Sequence, residues 1–196
     1  MKFPRHITYI VAIDEVGRGP IAGPVTLGAV MICRCDLSPV MKKIAGIRDS
    51  KKLSHQQRIT WFDTLDRNHR VTSATASVGS AYIDRHGIVK ALSTGVARVI
   101  KKLSLDPDTT FVMLDGSLYA PATYSFQETI IKGDDKEPLI SAASIIAKVT
   151  RDAKMVRYAN RYHHYGFEGN KGYGTESHYD AIKKYGPCRI HRLTWI

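Results

Sequence analysis

The sequence predicts an α/β fold in which helices flank a mixed β-sheet. Three observations lead to this prediction. Five short segments carry the apolar, β-branched or alternating residues that are typical of strands. Segments with apolar residues at helical spacing lie between and after them. The order begins with strands, continues with helices and strands interleaved, and ends in a helical part over about residues 160–196, which favours helices layered on one sheet.

The five predicted strands differ in pattern. Residues 7–13 form a short β-rich run that ends at Asp14, and residues 25–33 form an apolar run after a turn rich in Gly and Pro. Residues 71–78 alternate apolar and polar side chains, as a half-buried strand does. Two further short strands are predicted at residues 110–114 and 128–132.

Four helices are predicted from the same periodicities. Ser54 is placed to cap the first, which runs to about Asn68. The second covers about residues 83–103, the third about residues 138–162, and a short fourth lies near Ser177. Neither an internal repeat nor a linker rich in Pro, Gly or Ser divides the sequence, so residues 1–196 are predicted to form one domain.

Composition and charge restrict the class of protein. The sequence contains no apolar run near the ~20 residues that span a bilayer and no secretory signal, so we expect a cytoplasmic protein. Lys and Arg number 29 against 18 acidic residues, and the resulting net charge of +11 favours a polyanionic partner. Cys33 and Cys35 lack a second Cys or His pair that would complete a zinc site, so reduced structural thiols are expected.

The segment DEVGRGP at positions 14–20 contains the first candidate site. Asp14 and Glu15 follow an apolar strand and project to opposite sides of the chain at its carboxyl end. Adjacent carboxylates repel each other unless a positive charge lies beside them, and Mg²⁺ prefers such oxygen ligands. A pair that simply opens a solvated loop is an equally good interpretation of these two residues alone.

Gly17, Arg18 and Gly19 follow the acidic pair directly. The glycines let the backbone approach a ligand and expose its N–H groups, and Arg18 can contact a phosphate. In isolation, this segment would be a tight turn with an exposed arginine. Beside two carboxylates and in a basic chain, it predicts a loop that faces phosphate.

Two further carboxylates occupy positions similar to that of Asp14. Asp115 ends the strand FVML at 111–114, and Asp134 follows IIKG at 130–133. Each alone could be an ordinary turn residue, since Asp and Gly favour turns. The ends of three strands of one sheet could converge, which predicts a metal site made of carboxylates.

The third predicted helix carries a narrow polar stripe formed by Ser141, Ser144, Lys148 and Asp152. Small residues at the edge of the core indicate close packing near a site. The alternative is a plain surface ion pair between Lys148 and Asp152 at i, i+4, and the sequence leaves both interpretations open.

These motifs together resemble the ribonuclease HII family, the type 2 ribonucleases H, from about residue 9 to residue 192. The matching segments occur in the family's order: DEVGRGP at 14–20, DSKKL at 49–53, LDG at 114–116, KGD at 132–134, SAASIIAKVTRD at 141–152, KGYGT at 171–175 and HR at 191–192.

The resemblance implies an RNase H-like mixed five-stranded sheet flanked by helices, with a helical C-terminal part. It implies an endonuclease that hydrolyses the RNA strand of RNA–DNA hybrids and cuts 5′ of single ribonucleotides embedded in duplex DNA. Two metal ions would act in this reaction and leave 5′-phosphate and 3′-hydroxyl ends.

The resemblance also assigns residues to these roles. Mg²⁺ or Mn²⁺ would be held by four carboxylates, those of Asp14, Glu15, Asp115 and Asp134. Substrate would be bound by Gly17, Arg18, Gly19, Lys51 and Tyr173, with Lys51 near the phosphates and Tyr173 at the ribonucleotide. Supporting roles fall to Ser144, Lys148 and Asp152.

The sequence departs from the family pattern at two places. Asn170 stands where histidine is common, and the tail stops at Ile196 without a partner-binding extension, so no sliding-clamp peptide is expected. A monomer is expected because nothing in the sequence demands an assembly.

Two other functions remain open from the sequence. One is a nuclease of similar fold that acts on DNA, such as a junction resolvase, which Tyr173 and the glycine loop oppose. The other is a basic nucleic-acid-binding protein without catalysis, which the clustered carboxylates oppose because they would repel phosphates in the absence of metal.

Overall fold

The computed structural model describes residues 3–47 and 53–196 of the chain. Its strands are β1 (Tyr9–Val16), β2 (Val25–Cys33), β3 (Val71–Val78), β4 (Thr110–Asp115) and β5 (Gln127–Ile130). Its helices are α1 (Leu37–Ile44), α2 (His55–Asp66), α3 (Ser80–Lys102), α4 (Gly133–Lys136), α5 (Pro138–Arg161), α6 (Phe167–Asn170) and α7 (Glu176–Tyr185).

The five strands form one sheet in the order β3-β2-β1-β4-β5. β2 pairs antiparallel with β1 and β3, whereas β4 runs parallel to β1 and β5 runs parallel to β4. The predicted mixed five-stranded sheet is therefore confirmed. Ile13 lies beside Leu114 in the parallel pair, so the carboxyl ends of β1 and β4 reach the same edge of the sheet.

Helices cover both faces of this sheet. Val11 and Ile13 of β1 pack into a core with α3, and Ile10 and Ala12 pack into a second core with α5. A strand buried on both faces reads as a continuous apolar run, which explains the pattern that predicted β1. Each fully buried Val, Leu or Ile side chain contributes about 1.5–3 kcal/mol to this packing.

The helix α5 approaches the sheet closely at Gly28 of β2. A Cβ at Gly28 would overlap the carbonyl oxygen of Ala143 and lie 2.6 Å from the backbone nitrogen of Ala147. Gly28 is also the partner of Asp14 in the β1–β2 ladder. The missing side chain at Gly28 therefore lets α5 bring Ser144 to Asp14.

The sequence did not predict α1 (Leu37–Ile44), and it misplaced the ends of two strands. β1 continues to Val16, because β2 begins at Val25 and the antiparallel ladder pairs Val16 with Thr26. β5 ends at Ile130, because Lys132 adopts a left-handed backbone conformation (φ 55°) that starts the one-turn helix α4. Asp134 therefore lies in that helix and not at a strand end. Ser54 caps α2 as predicted, through a reciprocal pair of bonds with Gln57.

The expectation of reduced thiols is wrong for one pair of cysteines. Cys33 and Cys35 are disulfide-bonded, while Cys188 is free. The turn after β2 brings the two Cα atoms to 5.2 Å, which is within the range that a disulfide spans.

The chain after α5 packs as short helices against the loop between β1 and β2. Phe167 and Met155 are buried in a small core with Ala22, and Ala22 forms an isolated β-bridge with His191. Among the helices of the described residues, none combines the length and the apolar character that crossing a membrane requires.

Candidate active site

The carboxylates of Asp14, Glu15 and Asp115 meet at one edge of the sheet. One oxygen from each lies within 4.8 Å of the others. The parallel register of β1 and β4 causes this, because it places the ends of the two strands next to each other. The convergence predicted from the strand ends is thus present for these three residues.

Asp134 lines the same cavity, which has a volume of about 470 Å³, but is not one of the three clustered carboxylates. Its side chain is buried. The backbone N–H of Gly133 donates to Oδ1 of Asp115 at 2.6 Å, and the Ser141 hydroxyl donates to the carbonyl of Asp134. These bonds attach α4 to the end of β4 and to α5.

Burial and repulsion from neighbouring carboxylates disfavour the charged forms of Asp14 and Glu15. The pKa of Asp14 is raised well above its ordinary value, first by burial and then by the charges of Glu15 and Asp115, although a hydrogen bond from Ser144 opposes the shift. The pKa of Glu15 is raised by burial and by Asp115, against the lowering effect of Arg18. A cation between the carboxylates would remove both penalties.

The donor set fits a hard divalent metal ion. Oxygen atoms of carboxylates are the ligands that Mg²⁺ and Mn²⁺ prefer. The Oε2 atom of Glu15 is buried and has no hydrogen-bond partner within residues 3–47 and 53–196. Its Oε1 atom lies 3.3 Å from Nη1 of Arg18. One oxygen of Glu15 is therefore available to a ligand inside the cavity.

The loop of Gly17, Arg18 and Gly19 forms one wall of the cavity. Gly17 has φ 94°, and a Cβ there would collide with the guanidinium of Arg151, so both backbone conformation and space require glycine. The Arg18 side chain donates to the Ser117 hydroxyl at 2.8 Å. Arg18 thus spans the cavity mouth from the loop to the residues after β4.

Two buried arginines bind the backbone of the β1–β2 connection, which includes this loop. Arg192 donates to the carbonyls of Gly17 (2.5 Å), Arg18 (2.8 Å) and Gly23 (3.1 Å). Arg151 donates to the carbonyls of Ala22, Pro24 and Lys171. Burial lowers the pKa of Arg192 to about 10, so it stays charged at neutral pH.

Arg192 thereby decides which way the loop peptides point. In a trans peptide the C=O and N–H groups point in opposite directions. Because the carbonyls of Gly17 and Arg18 face Arg192, the N–H groups of Arg18 and Gly19 point away from it. Sequence reasoning assigned no role to Arg151 or Arg192, since bonds to backbone carbonyls leave no local pattern.

Tyr173 lines the cavity and is 45% exposed. Its backbone is fixed on both sides: its N–H donates to the carbonyl of Asn170 at 2.9 Å, and its carbonyl lies 2.8 Å from Nδ1 of His178. The Asn170 side chain accepts from Gly172 N at 2.7 Å. The unusual Asn170 therefore stabilises the turn that presents Tyr173.

Two of the four residues of the polar stripe of α5 reach the same cavity. Ser144 and Lys148 line it, and Nζ of Lys148 lies 2.9 Å from Oδ1 of the buried Asp152. Lys148 and Asp152 form the i, i+4 ion pair that the sequence left open as an alternative, and Lys148 belongs to the wall of the cavity. Arg58 of α2 also lines the cavity and was not predicted. Lys51 lies outside the described residues.

A parallel strand pair with carboxylates at its adjacent ends, beside a glycine loop and a cationic wall, defines a nuclease of the ribonuclease H class. The chain matches the family described as ribonuclease HII over residues 11–196. It belongs to the ribonuclease HII family and is accordingly an endoribonuclease.

Individual relatives agree with this assignment. A ribonuclease HII of Clostridium botulinum (strain Loch Maree / Type A3) is 42% identical over 191 residues, which cover 96% of this chain and 68% of that protein. The solved ribonuclease H2 from Pyrococcus horikoshii OT3 is 26% identical, with a TM-score of 0.73 and coverage of 95% of this chain and 93% of that one.

Two more distant structures share the fold alone. Ribonuclease HII from Archaeoglobus fulgidus, solved in complex with PCNA, has a TM-score of 0.78 at 23% identity and covers 95% of both chains. Bst-RNase HIII, solved in complex with Mn²⁺, has a TM-score of 0.69 at 18% identity and covers 91% of this chain and 63% of that one.

Proposed function

We propose that this endoribonuclease hydrolyses the RNA strand of RNA–DNA hybrids and cuts on the 5′ side of single ribonucleotides in duplex DNA, leaving 5′-phosphate and 3′-hydroxyl ends. One observation carries the proposal. The carboxylate cluster of Asp14, Glu15 and Asp115 shares a cavity with the Gly17–Gly19 loop and Tyr173. Groups able to recognise a ribose therefore lie beside groups able to hold metal at a phosphate.

Asp14, Glu15 and Asp115, together with Asp134, would hold Mg²⁺ or Mn²⁺. When bound, such ions stabilise charge on the scissile phosphate and lower the pKa of a bound water. The carboxylates also exclude phosphate from the cavity until cations neutralise them. Lys148, held by Asp152, directs an ammonium group into the cavity, where it would attract the anionic strand.

Selection of RNA over DNA would depend on the 2′-hydroxyl, which is the group that distinguishes them at a given nucleotide. The N–H groups of Arg18 and Gly19 point away from Arg192 and can donate to that oxygen. The Tyr173 hydroxyl can bond to the same sugar while its ring packs on the neighbouring one. Tyr173 would test the DNA sugar on the 3′ side, which directs the cut to the 5′ side.

The decisive experiment compares labelled substrates and carboxylate variants. We expect cleavage of an RNA–DNA hybrid and of a DNA duplex with one ribonucleotide in Mg²⁺ or Mn²⁺, and none with chelator. Asp14→Asn and Asp115→Asn should abolish cleavage while hybrid binding persists. Asp180→Asn, which changes an exposed carboxylate on α7, is the matched control and should cut normally.

Three outcomes would contradict the proposal. Near wild-type cleavage by Asp14→Asn or Asp115→Asn would show that the reaction does not require these carboxylates. Cleavage of all-DNA junctions would indicate a resolvase, and binding without any cleavage would indicate a nucleic-acid-binding protein. The monomeric state and the cytoplasmic location stay predictions.

A further inference from the structure

A basic groove lies beside α5, outside the cavity already described. It has a volume of about 510 Å³, and Lys154, Arg157 and Arg161 of α5 line it opposite Ser77 and Gly79. A second hollow of about 270 Å³ shares part of this wall and adds Arg189. The two hollows together form one track along the C-terminal half of α5.

The groove lies on the side of α5 that faces away from the catalytic cavity. At 3.6 residues per turn, successive residues of a helix are about 100° apart. The Lys148–Asp152 stripe and the Arg157–Arg161 stripe are therefore separated by roughly 180° around α5. Pro24 connects the two regions, because it lines the groove at the end of the loop that begins with Gly17.

The positive charge of this groove is not compensated. Arg157 and Arg161 are exposed and one helical turn apart, where like charges repel. Among the described residues, no carboxylate lines either hollow. The salt bridges found among the described residues involve none of the arginines and lysines that line the two hollows. The pKa of Lys154 is lowered by burial and then by the charges of Arg157 and Lys102. A bound polyanion would relieve this repulsion.

Part of the basic cluster has a structural role in the sheet. β3 is an edge strand, and cations near such an edge prevent pairing with other chains. Lys102 donates to the carbonyl of Thr75, and Arg98 donates to the carbonyl of Ser77. Lys154 donates to the Ser77 hydroxyl. Arg157 and Arg161 make no such bond to β3, so edge protection does not account for them.

Aromatic rings are interleaved with these cations. Tyr158 lines both hollows and Tyr162 lines the second, where the Arg161 guanidinium lies 5.6 Å from the centre of the Tyr162 ring. Alternating cations and aromatic rings are typical of surfaces that bind the sugar–phosphate backbone of nucleic acids, because the cations contact phosphates and the rings pack on sugars or bases.

We propose that the groove of Arg157 and Arg161 is a second nucleic-acid site, which binds the sugar–phosphate backbone of the substrate duplex in the region flanking the cut. It deepens the proposed function, because it gives the same substrate a contact away from the carboxylates. Its contribution is affinity and register, and it plays no part in the chemistry.

The test measures how hybrid binding depends on salt. Each neutralised phosphate contributes about 0.9 to the slope of log Kd against log salt concentration. In an Asp14→Asn background, with gels to show that the strands stay intact, Arg157→Gln plus Arg161→Gln should weaken binding of a long hybrid and lower the slope by roughly 1–2. Lys42→Gln plus Lys43→Gln is the matched control, since it removes two exposed charges from α1.

Further variants separate a binding site from general electrostatics. Arg157→Lys plus Arg161→Lys keeps the charge and should restore most of the slope. The difference between the Gln pair and wild type should vanish on a hybrid too short to reach the groove. Equal losses of hybrid affinity in the Arg157/Arg161 and Lys42/Lys43 double variants would overturn the proposal. An unchanged salt slope in the Arg157→Gln plus Arg161→Gln protein would overturn it as well. Because binding is measured without cleavage, this result is independent of whether the hybrid is cut.

Discussion

The guanidinium of Arg192 donates to the backbone carbonyl of Arg18 at 2.8 Å, across 174 positions of the sequence. The same group also bonds the carbonyls of Gly17 and Gly23, so one buried side chain fixes three peptide groups. Since these carbonyls face inward, the amides that follow Gly17 and Arg18 face outward. The C-terminal helical part thus shapes the loop that we propose to recognise the ribose.

We predict that Arg192→Lys impairs recognition of the ribonucleotide by the Gly17–Gly19 loop without changing the carboxylates. An ammonium group cannot reproduce the planar fork that reaches three carbonyls, so some of them lose their donors. The free energy of unfolding should fall by about 2–4 kcal/mol, as is typical when a buried charged network is broken. Cleavage at a single ribonucleotide should fall by roughly 5- to 150-fold, by analogy with the ~1–3 kcal/mol of one specific contact.

Urea denaturation and single-turnover cleavage measure the two effects of Arg192→Lys. Arg85→Lys, at an exposed arginine of α3, is the control and should change neither quantity. A stable Arg192→Lys protein with normal cleavage would show that the loop keeps its shape without these bonds.

Tyr173 is predicted to matter for cleavage and not for stability. Tyr173 is 45% exposed, so Tyr173→Ala should leave the melting temperature nearly unchanged. Loss of one good ribonucleotide contact corresponds to ~1–3 kcal/mol, so cleavage at a single ribonucleotide should fall roughly tenfold or more. Tyr173→Phe keeps the ring and separates the contribution of the hydroxyl. A collapsed melting temperature with a normal rate would indicate a packing role.

Asp14→Asn should stabilise the metal-free protein. The raised pKa of Asp14 means that its charge opposes folding: the folded form favours the protonated carboxyl, so stability is lost as pH rises through the folded pKa. A neutral amide removes this penalty at pH 7. For a chain of this length, each kcal/mol gained raises the melting temperature by roughly 2–4 °C.

Thermal unfolding with chelator, and again with Mg²⁺, checks this prediction. With chelator, Asp14→Asn should melt above the wild type. Added Mg²⁺ should raise the wild-type melting temperature by mass action and raise that of the variant much less. A lower melting temperature for Asp14→Asn in chelator would mean that its hydrogen bonds outweigh the repulsion.

The paired histidines predict how stability depends on pH. Nδ1 of His191 accepts from the N–H of Cys188 at 2.8 Å, so its Nε2 carries the proton and donates to Nε2 of His178 at 3.0 Å. His178 then donates from Nδ1 to the carbonyl of Tyr173. Protonation of either ring would place two donors face to face, in addition to the cost of burying a charge.

Burial lowers the pKa of His191 to about 4, and that of His178 is lowered as well. A depressed histidine pKa gives stability that is complete above the unfolded value of about 6.5 and is lost as pH falls from there towards 4. Between pH 7 and pH 4.5, the free energy of unfolding should fall by about 2 kcal/mol more in the wild type than in His191→Gln. Parallel curves for the two proteins would show that His191 takes up a proton as readily in the folded protein as in the unfolded chain.

The sequence determined the elements whose pattern is local. Residues 25–33 and 71–78 were predicted with the bounds that β2 and β3 have, because their apolar patterns match the sheet positions they occupy. Ser54 identified the start of α2, because a capping bond is made within one turn. Asp14, Glu15 and Asp115 were predicted for the same kind of reason, since a carboxylate after an apolar run lies at a strand end.

The tertiary structure decided how these pieces form one site. Only the parallel pairing of β1 with β4 brings Asp115 to Asp14, and only the close approach of α5 at Gly28 brings Ser144 there. The role of Arg192 escaped prediction, although the residue belongs to a matching segment, because a side chain that binds carbonyls far away in the sequence has no neighbours that identify its partners. Local patterns are set by short-range backbone and solvent preferences, whereas these contacts exist only once the distant segments have packed.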